Sequence, residues 1–459
     1  MGSTHKTTAR HRFIEERAGS PQPLAQPRLL SEFEHLLEHP GCPACTSMAD
    51  AEGSYFRWFA NESYSSPEVL AQLRAGMGMC PAHSRRLVEE TGSGAVATIV
   101  LREALAGARQ RLGADSGETG PCPVCATLIL RSDSVAPMVV RALGRDTDLE
   151  RYAAHDGLCL EHMRALAPVT PPSIAKLVAE QLLARVRDNR EDRVVTLLAG
   201  EDDDLTRRAG CRRRLPCQDT GGSTMDGLRA LLAIDACPLC FAAGQRERRY
   251  LAWLLEQARA GDHSLHIEPG VPCAAHLHDL AGEDPAAARV LIDRKRATTI
   301  TGLQQLLDHL AAVPPPTGRR RRRRDEEPPQ PVDTLTPNHQ CPACRARGVA
   351  EARQRDLLAA ALELGSIRRL YEASHGLCVR HCRQRQPEAV ARVAHRVVNA
   401  RVAVLDWEVQ EVSRKYAWAC RDEPKGPEQN AWLRALGQID GRVLLGGPAP
   451  SDPVATRPR

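Results

Sequence analysis

Cys42-Pro-Ala-Cys45 and Cys80-Pro-Ala-His83 form a motif that occurs four times along the 459-residue chain and decides its fold. In the four copies, the second cysteine of the C-x-x-C pair precedes the cysteine of the next C-x-x-H pair by 35, 34, 33 and 34 positions. Twelve of the sixteen cysteines lie in this register, which indicates an internal repeat. The later copies are Cys122-Pro-Val-Cys125 with Cys159-Leu-Glu-His162, Cys237-Pro-Leu-Cys240 with Cys273-Ala-Ala-His276, and Cys341-Pro-Ala-Cys344 with Cys378-Val-Arg-His381.

Three cysteines and one histidine are a complete ligand set for structural zinc, which prefers four sulfur and nitrogen donors. A two-residue spacer brings both ligands of a pair onto one ion, and proline after the first cysteine suits the first turn of a helix. We expect each C-x-x-C pair to share its metal with the C-x-x-H pair that follows, because the residues between them allow one helix to leave and the chain to return. The predicted ligands are Cys42, Cys45, Cys80, His83, Cys122, Cys125, Cys159, His162, Cys237, Cys240, Cys273, His276, Cys341, Cys344, Cys378 and His381.

This ligand set predicts about four zinc ions per chain. An iron–sulfur cluster is a minor alternative, because the common cysteine spacings of such clusters differ from this one. The C-P-x-C pairs also resemble the active-site motif of glutaredoxin-like proteins. That motif needs a preceding strand and a βαβ context, and no strand is visible before these pairs.

The repeats alternate between two kinds, which predicts a two-site module duplicated in tandem. The first and third follow an apolar lead helix and carry Tyr and Trp at the same offsets after the second cysteine, where they suit a helical core stripe. The second and fourth share a Tyr seven residues before the third cysteine and a Gly-Leu-Cys approach. The shared aromatic residues are Tyr55, Trp58, Tyr250 and Trp253, and then Tyr152 and Tyr371.

Between these motifs the apolar residues follow helical stripes, and strand-like alternation is essentially absent. Aromatic residues are only 3% of the chain, which argues against large β-sandwich or barrel cores. The sequence therefore predicts an all-α fold of two tandem helical modules, each organised around two metal sites of three cysteines and one histidine.

Polar and proline-rich stretches set the predicted domain boundaries. A run of six arginines, Arg319 to Arg324, lies among prolines and acidic residues in a stretch too polar to bury a core. The predicted divisions are a flexible tail 1–27, a first module 28–200, a polar linker 201–224, a second module 225–422 with a disordered insert at about 313–338, and a tail 423–459.

Charge and hydropathy narrow the class of protein. The formal net charge of +5 is too weak to argue for nucleic acid by itself. No apolar run approaches the ~20 residues of a membrane span, and residues 1–13 lack the apolar segment of a secretory signal. We therefore predict a cytoplasmic protein with no membrane partner, where reduced cysteines favour metal ligation over disulfides.

No motif for nucleotide binding, serine hydrolysis or metalloprotease chemistry is present, and no paired acid and base stands at a recognisable spacing. The interpretation therefore leans away from an enzyme. Four cysteines remain outside the register. We interpret Cys382 as a non-ligand thiol, Cys420 as a core residue, and Cys211 and Cys217 as linker thiols.

The register resembles an uncharacterised family of bacterial helical proteins, in which a lead helix, G-C-P-x-C and G-x-C-x-x-H occur with the two pairs repeated once. His39-Pro40-Gly41-Cys42-Pro43-Ala44-Cys45 and His375-Gly376-Leu377-Cys378 resemble it most. The resemblance covers about residues 28–200 and again 225–422, and departs at Val271-Pro272-Cys273 and in the arginine-rich insert. It implies zinc ligation in a bacterial cytosolic protein and implies no reaction.

These observations lead to one functional hypothesis and two alternatives. The first is a structural zinc-binding scaffold or protein–protein adapter without intrinsic catalysis, whose partner is another protein. The alternatives are a zinc-thiolate redox sensor, holdase or thiol–disulfide oxidoreductase, and a nucleic-acid-binding regulator that uses the arginines.

Overall fold

The structure, a computed structural model, describes residues 32–91, 94–112, 121–188, 198, 224–260, 272–312, 341–384, 388–420 and 422–441. All regular secondary structure in these ranges is helical, which confirms the all-α prediction. The predicted tail 1–27, all but one residue of the linker 201–224 and the arginine-rich insert lie outside the described residues.

Residues 32–36 form the helix that leads into the first C-x-x-C pair. The α-helices that follow are α1 (Pro43–Trp58), α2 (Pro67–Gly76), α3 (Pro81–Thr91), α4 (Gly94–Leu112), α5 (Pro123–Ala142), α6 (Asp146–Ala154), α7 (Leu160–Leu166), α8 (Pro172–Asp188), α9 (Met225–Leu232), α10 (Pro238–Arg259), α11 (Ala274–Glu283), α12 (Pro285–Ala312), α13 (Pro342–Ala361), α14 (Gly365–Ala373), α15 (Val379–Cys382), α16 (Glu388–Tyr416) and α17 (Ala431–Asp440).

Proline stands at the first position of eight of these seventeen helices, because its missing N–H has no helical partner there and its φ angle already suits a helix. Side-chain caps also mark helix starts: Ser66 accepts from the backbone N–H of Val69 at α2, next to the proline there, and Thr224 accepts from that of Gly227 at α9. Local sequence therefore sets where many of the helices start.

The chain divides into two compact units. Unit 1 comprises residues 1–53, 125–202 and 292–337, and unit 2 comprises residues 54–124, 203–291 and 338–459. In unit 1 the lead helix, α5 to α8 and part of α12 bury one apolar core, where the rings of Phe33 and Tyr152 lie 6.4 Å apart. Leu303 and Leu306 of α12 complete that core.

The core of unit 2 gathers helices from distant parts of the chain. Leu101, Leu105 and Leu112 of α4 are buried with the valines of α16 and with Leu436 of α17. Helices α10 and α13 pack along each other in the same unit. Residues 431–440 of the predicted tail therefore form a docked helix, because Ala431, Ala435 and Leu436 give it one apolar face.

The compact units do not coincide with the modules predicted from composition. Helix α4 belongs by sequence to the first half of the chain and contributes to the core of unit 2, whereas α12 belongs to the second half and contributes to that of unit 1. Both helices follow the C-x-x-H pair of an odd-numbered repeat. Composition shows where polar stretches lie, but it does not show which apolar helix faces meet.

Helix α5 is the one helix within the described ranges that is long and apolar enough to cross a membrane, judged by length and composition only. The expectation that no such segment exists was therefore too strict. Val135, Met138 and Val139 of α5 are buried in the core of unit 1. A core helix passes the same test, so α5 is weak support for a membrane span.

Candidate metal centres

Each C-x-x-C pair lies at the start of a long helix. In α10 and α13 the first cysteine, Cys237 or Cys341, is the N-cap, and proline follows it at the first helical position. The second cysteine then lies three residues on, within the first turn, so both sulfurs can reach the same point. The C-x-x-H pairs use the same device: Cys159, Cys273 and Cys378 are N-caps of short helices.

The cysteines and histidines meet in four groups, and in each the donor atoms lie within 4.8 Å of one another. Each group contains three cysteines and one histidine, as the fold prediction required. The groups are site I (Cys42, Cys45, Cys159, His162), site II (Cys80, His83, Cys122, Cys125), site III (Cys237, Cys240, Cys378, His381) and site IV (Cys273, His276, Cys341, Cys344).

The pairing of ligands differs from the expected one. We expected each C-x-x-C pair to meet the C-x-x-H pair that follows it, but the structure nests the pairs. In each half of the chain the first and last pairs meet at one site, and the two middle pairs meet at the other. The reason is visible in unit 2, where α10 and α13 pack side by side and start at different sites. The C-x-x-H pair that follows α10 therefore meets the start of α13, and the pair that follows α13 meets the start of α10.

The distances fit a tetrahedral ion. Zinc–sulfur and zinc–nitrogen bonds of about 2.3 and 2.05 Å imply sulfur–sulfur edges of about 3.8 Å and sulfur–nitrogen edges of about 3.5 Å. In site I the Nδ1 atom of His162 lies 3.5, 3.4 and 3.2 Å from the Sγ atoms of Cys42, Cys45 and Cys159. The Cys45 and Cys159 sulfurs lie 3.9 Å apart.

Sites III and IV repeat this geometry. In site III, Nδ1 of His381 lies 3.2–3.4 Å from the three sulfurs, and the Cys240 and Cys378 sulfurs lie 3.9 Å apart. In site IV, Nδ1 of His276 lies 3.1–3.6 Å from its three sulfurs. Each group therefore presents four converging donors of the kinds that zinc prefers, and the residues present fit that metal.

Site II has the same donors. The Nδ1 atom of His83 lies 3.1 Å from the sulfur of Cys80 and 3.4 Å from that of Cys122, and Cys125 completes the group. The ring of Phe56 lies 6.2 Å from the ring of His83.

In sites I, III and IV the outward nitrogen of the ligand histidine has a defined neighbour. Because Nδ1 faces the sulfurs, Nε2 carries the ring proton and can donate it. The Nε2 atom of His276 donates to Oε1 of Glu247 at 2.8 Å, and that of His381 lies 3.0 Å from Oε1 of Glu351. In site I, Nε2 of His162 lies 3.3 Å from the Met48 sulfur instead.

Burial and close packing shift the protonation of the ligands. Burial raises the pKa of Cys237, but hydrogen bonds to Cys240, Cys378 and His381 hold it well below its usual range. Burial lowers the pKa of His381, yet the hydrogen bond to Cys237 brings it above its ordinary value. The pKa values of Cys240 and Cys378 are raised, by hydrogen bonds to Cys237 and by burial, respectively. Site III thus favours one thiolate beside an imidazolium, and zinc must displace about three protons to bind there.

At site IV, too, burial and hydrogen bonds shift the pKa values of the ligands in opposite directions. Burial alone would lower the pKa of His276, but hydrogen bonds to Cys273, Cys341 and Glu247 raise it to about 11. Hydrogen bonds to Cys273 and Cys344 lower the pKa of the Cys341 thiol. Zinc binding at this site also requires proton release, so acidification opposes it.

Two equivalent turns deliver the last C-x-x-H pair of each half. Gly157 and Gly376 adopt left-handed φ angles of 74° and 75°, which favour glycine because they place a Cβ in steric conflict. The Tyr152 hydroxyl accepts a hydrogen bond from the Leu158 amide at 3.2 Å, and Tyr371 accepts the equivalent bond from Leu377 at 3.1 Å. The shared Tyr and Gly-Leu-Cys pattern of the sequence therefore holds the turn before the metal ligands.

The C-terminal helix α17 closes site III. Its C-cap, Gly441, is buried with a φ angle of 72°, and its amide donates to the carbonyl of Gly437. A Cβ at position 441 would lie 2.3 Å from the Cys240 sulfur and 2.4 Å from the Cys378 sulfur. Gln438 fixes the same helix by donating to the Leu377 carbonyl at 2.8 Å. No feature of the sequence alone pointed to Gly441.

The ligands of sites III and IV differ in their exposure to solvent. His381, Cys237 and Cys378 are at most 1% exposed, whereas Cys344 of site IV is an exposed residue. The metal position of site IV is therefore the more accessible of the two.

The remaining predicted residues have mixed outcomes. Cys382 is buried in the core of unit 2, where burial raises its pKa to about 12, and it lies outside the four groups as predicted. Cys420 is only partly buried, 3.1 Å from Nη1 of Arg414, so the core interpretation was too strong. Trp58 and Trp253 are 42% and 40% exposed, so they are not buried core residues as the stripe predicted. Cys211 and Cys217 lie outside the described residues.

Sequence reasoning did not identify Glu247 and Glu351. A signal was present, since both lie seven residues after the second cysteine of their C-x-x-C pair, and Glu52 has the same offset after Cys45. Glu52 is also buried. Alignment of the repeats beyond the cysteines would have found these acids.

Comparisons with models of protein families, with curated proteins and with solved structures found no match to this chain. The resemblance to a bacterial helical family therefore stays a prediction.

Proposed function

We propose that this chain is a structural zinc protein, a helical scaffold that binds another protein and has no catalysis of its own. The observation that carries the proposal is the composition of the four groups. Each supplies four donors, the full number for tetrahedral zinc, and so provides no coordination position for a substrate. The donors sit at helix starts, where a bound ion stabilises the fold directly.

The proposal requires about four zinc ions per chain. Elemental analysis of protein purified without chelator should find them, and the preparation should be colourless. Two or fewer zinc ions per chain would contradict the proposal. A brown preparation with iron and sulfide would favour the iron–sulfur alternative.

Exposed aromatic side chains support the adapter role. Trp407 of α16 is 64% exposed and Trp418, just after that helix, is 78% exposed. Val404, one helical turn before Trp407, is 54% exposed. Large exposed apolar residues of this kind are enriched where proteins bind partners, because their burial stabilises the complex.

A matched pair of variants tests whether Trp407 and Trp418 contact a partner. The double change Trp407→Ser and Trp418→Ser should leave the zinc content unchanged and abolish a stoichiometric partner that co-purifies with the wild-type chain from its native host. Val169→Ser, at a residue 67% exposed in unit 1, should keep the partner. Equal retention by both variants would contradict the assignment of this surface.

The exposure of Cys344 favours a redox sensor as the second candidate. Zinc would hold the Cys344 sulfur as a thiolate. That thiolate could reduce hydrogen peroxide, giving a sulfenate and water, and the protonated sulfenic acid could then form a disulfide with Cys273, 3.9 Å away, releasing a second water. Mild peroxide should then link Cys273 to Cys344 and release one zinc ion before any cysteine of site III reacts. Uniform loss of all zinc would argue against a specific sensor. The arginine run, on which the nucleic-acid alternative rests, lies outside the described residues.

A further inference from the structure

Helices α10 and α13 connect sites III and IV in opposite directions. Helix α10 begins at Cys237 of site III, and α13 begins at Cys341 of site IV. The two helices pack along each other within unit 2. The first turn of α10 is therefore at site III and its later turns lie beside site IV, and for α13 the two sites are exchanged.

Each helix carries a glutamate to the histidine of the opposite site. Glu247 of α10 contacts His276 of site IV, with 2.8 Å between Oε1 and Nε2. Glu351 of α13 contacts His381 of site III, with 3.0 Å between the same atoms. Both acids lie seven residues after the second cysteine of their helix, which is about 10 Å along its axis.

These contacts have the chemistry of an outer support for a metal ligand. A carboxylate that accepts the second ring proton of a ligating histidine fixes its tautomer and orientation and makes the inward nitrogen a better donor. Glu247 is 4% exposed and His276 is 1% exposed. A buried carboxylate is costly unless it is paired, and the pairing of Glu247 is with His276 at 2.8 Å and, less closely, with Nη1 of Arg347 at 3.8 Å.

We propose that Glu247 and Glu351 are positioning residues that make metal binding at sites III and IV mutually cooperative. An ion on Cys237 and Cys240 fixes the first turn of α10 and thereby holds Glu247 against the histidine of site IV. An ion at site IV fixes the first turn of α13 and holds Glu351 in the same way. Coupling of this kind is reciprocal, because each ion must raise the affinity for the other by the same factor.

Site I provides a comparison within the same chain. Ser132 occupies the position seven residues after Cys125, where α10 and α13 carry glutamate. The outward nitrogen of His162 therefore lies beside the thioether sulfur of Met48, where the histidines of sites III and IV have a glutamate carboxylate. We therefore expect site I to lose zinc to a chelator at lower chelator concentration than site III, although both are largely buried.

The test measures zinc occupancy site by site in the full-length chain. Zinc-loaded protein is titrated with a chelator and pulsed with N-ethylmaleimide, and mass spectrometry of peptides then reports which cysteines have lost protection. Glu247→Gln should weaken site IV by about 10- to 100-fold and site III by a smaller factor. Glu351→Gln should weaken site III first. Glu256→Gln, at an exposed position of the same α10, should change neither site.

Several results would overturn the proposal. Greater loss at site III than at site IV in Glu247→Gln, or equal loss at site I, would show general destabilisation of the helix. If site III keeps its wild-type affinity in Cys341→Ser, where site IV is broken, the two sites are independent. Should either variant fail to fold, Glu247→Asp keeps the charge at a shorter reach. It should weaken site IV less than Glu247→Gln would, and wild-type occupancy of site IV in it would refute the positioning role.

Discussion

Replacement of Gly441 by alanine is the most direct test of the packing around site III. The new Cβ would lie 2.3 and 2.4 Å from two ligand sulfurs and 3.0 Å from the Cβ of Cys378. Optimal contact distances are about 3.5–4.0 Å, so the overlap exceeds 1 Å. The sulfurs cannot yield, because each is held by its helix start and by the other donors of the site. Helix α17 must move instead.

Two costs set the magnitude of the effect. Alanine in the left-handed region costs about 1–2 kcal/mol, and φ at position 441 is 72°. Displacement of α17 loses part of the burial of Leu436, whose full burial contributes about 1.5–3 kcal/mol. We expect the free energy of unfolding to fall by about 2–4 kcal/mol, which corresponds to roughly 5–15 °C in the melting transition of unit 2. Zinc should also leave site III faster.

Differential scanning calorimetry and chelator-monitored zinc release measure both effects. Gly348→Ala is the matched control, because a Cβ added at that helical position meets nothing within 4 Å. It should stabilise the chain by about 0.5–1 kcal/mol. Gly441→Asn should recover at most the cost of the φ angle and stay clearly destabilised, since asparagine tolerates that angle but keeps the clash. Wild-type melting and zinc release in Gly441→Ala would refute the reasoning, and full recovery in Gly441→Asn would assign the cost to the backbone angle.

The protonation and pairing of the ligands, and the packing of α4, lead to four further predictions. Zinc binding at site III should release about three protons at pH 7, and calorimetry in buffers of different ionisation enthalpy should detect them. Because the metal-bound site holds fewer protons than the protonated ligands, zinc-dependent stability should fall as the pH is lowered, and a pH-independent midpoint of zinc release would contradict this. Cys42→Ser should expose Cys159 to alkylation and leave Cys80 protected, whereas consecutive pairing of the ligands would expose Cys80. A chain that ends after residue 222 should not give a stable two-zinc module, since α4 would lose the core that it shares with α16; a cooperative melt with two bound zinc ions would show that the halves fold independently.

Sequence reasoning recovered the features that depend on local chemistry. The C-P-x-C pairs predicted helix starts because proline and the first-turn sulfurs define that geometry over four residues. The sequence also showed Gly-Leu-Cys as a feature shared by the second and fourth repeats, and the left-handed angles of Gly157 and Gly376 explain why glycine stands there. Features that depend on which helix faces meet were not recoverable. Both α4 and α12 have ordinary apolar stripes, and an apolar stripe does not indicate which helix packs against it.

The nested pairing of ligands shows why spacing alone could not decide the metal sites. Joining Cys240 to Cys378 closes a separation of 138 residues, where consecutive pairing would close the 33 residues from Cys240 to Cys273. Loop-closure entropy grows only with the logarithm of loop length, so this longer closure costs about 1.3 kcal/mol more. The inner closure joins Cys273 to Cys344 over 71 residues, where consecutive pairing would join Cys344 to Cys378 over 34, and it costs about 0.7 kcal/mol more. One fully buried leucine contributes about 1.5–3 kcal/mol, and the core of unit 2 buries several. Packing of the long helices therefore outweighs chain connectivity, and the same sixteen ligands pair according to which helix starts the packed helices bring together.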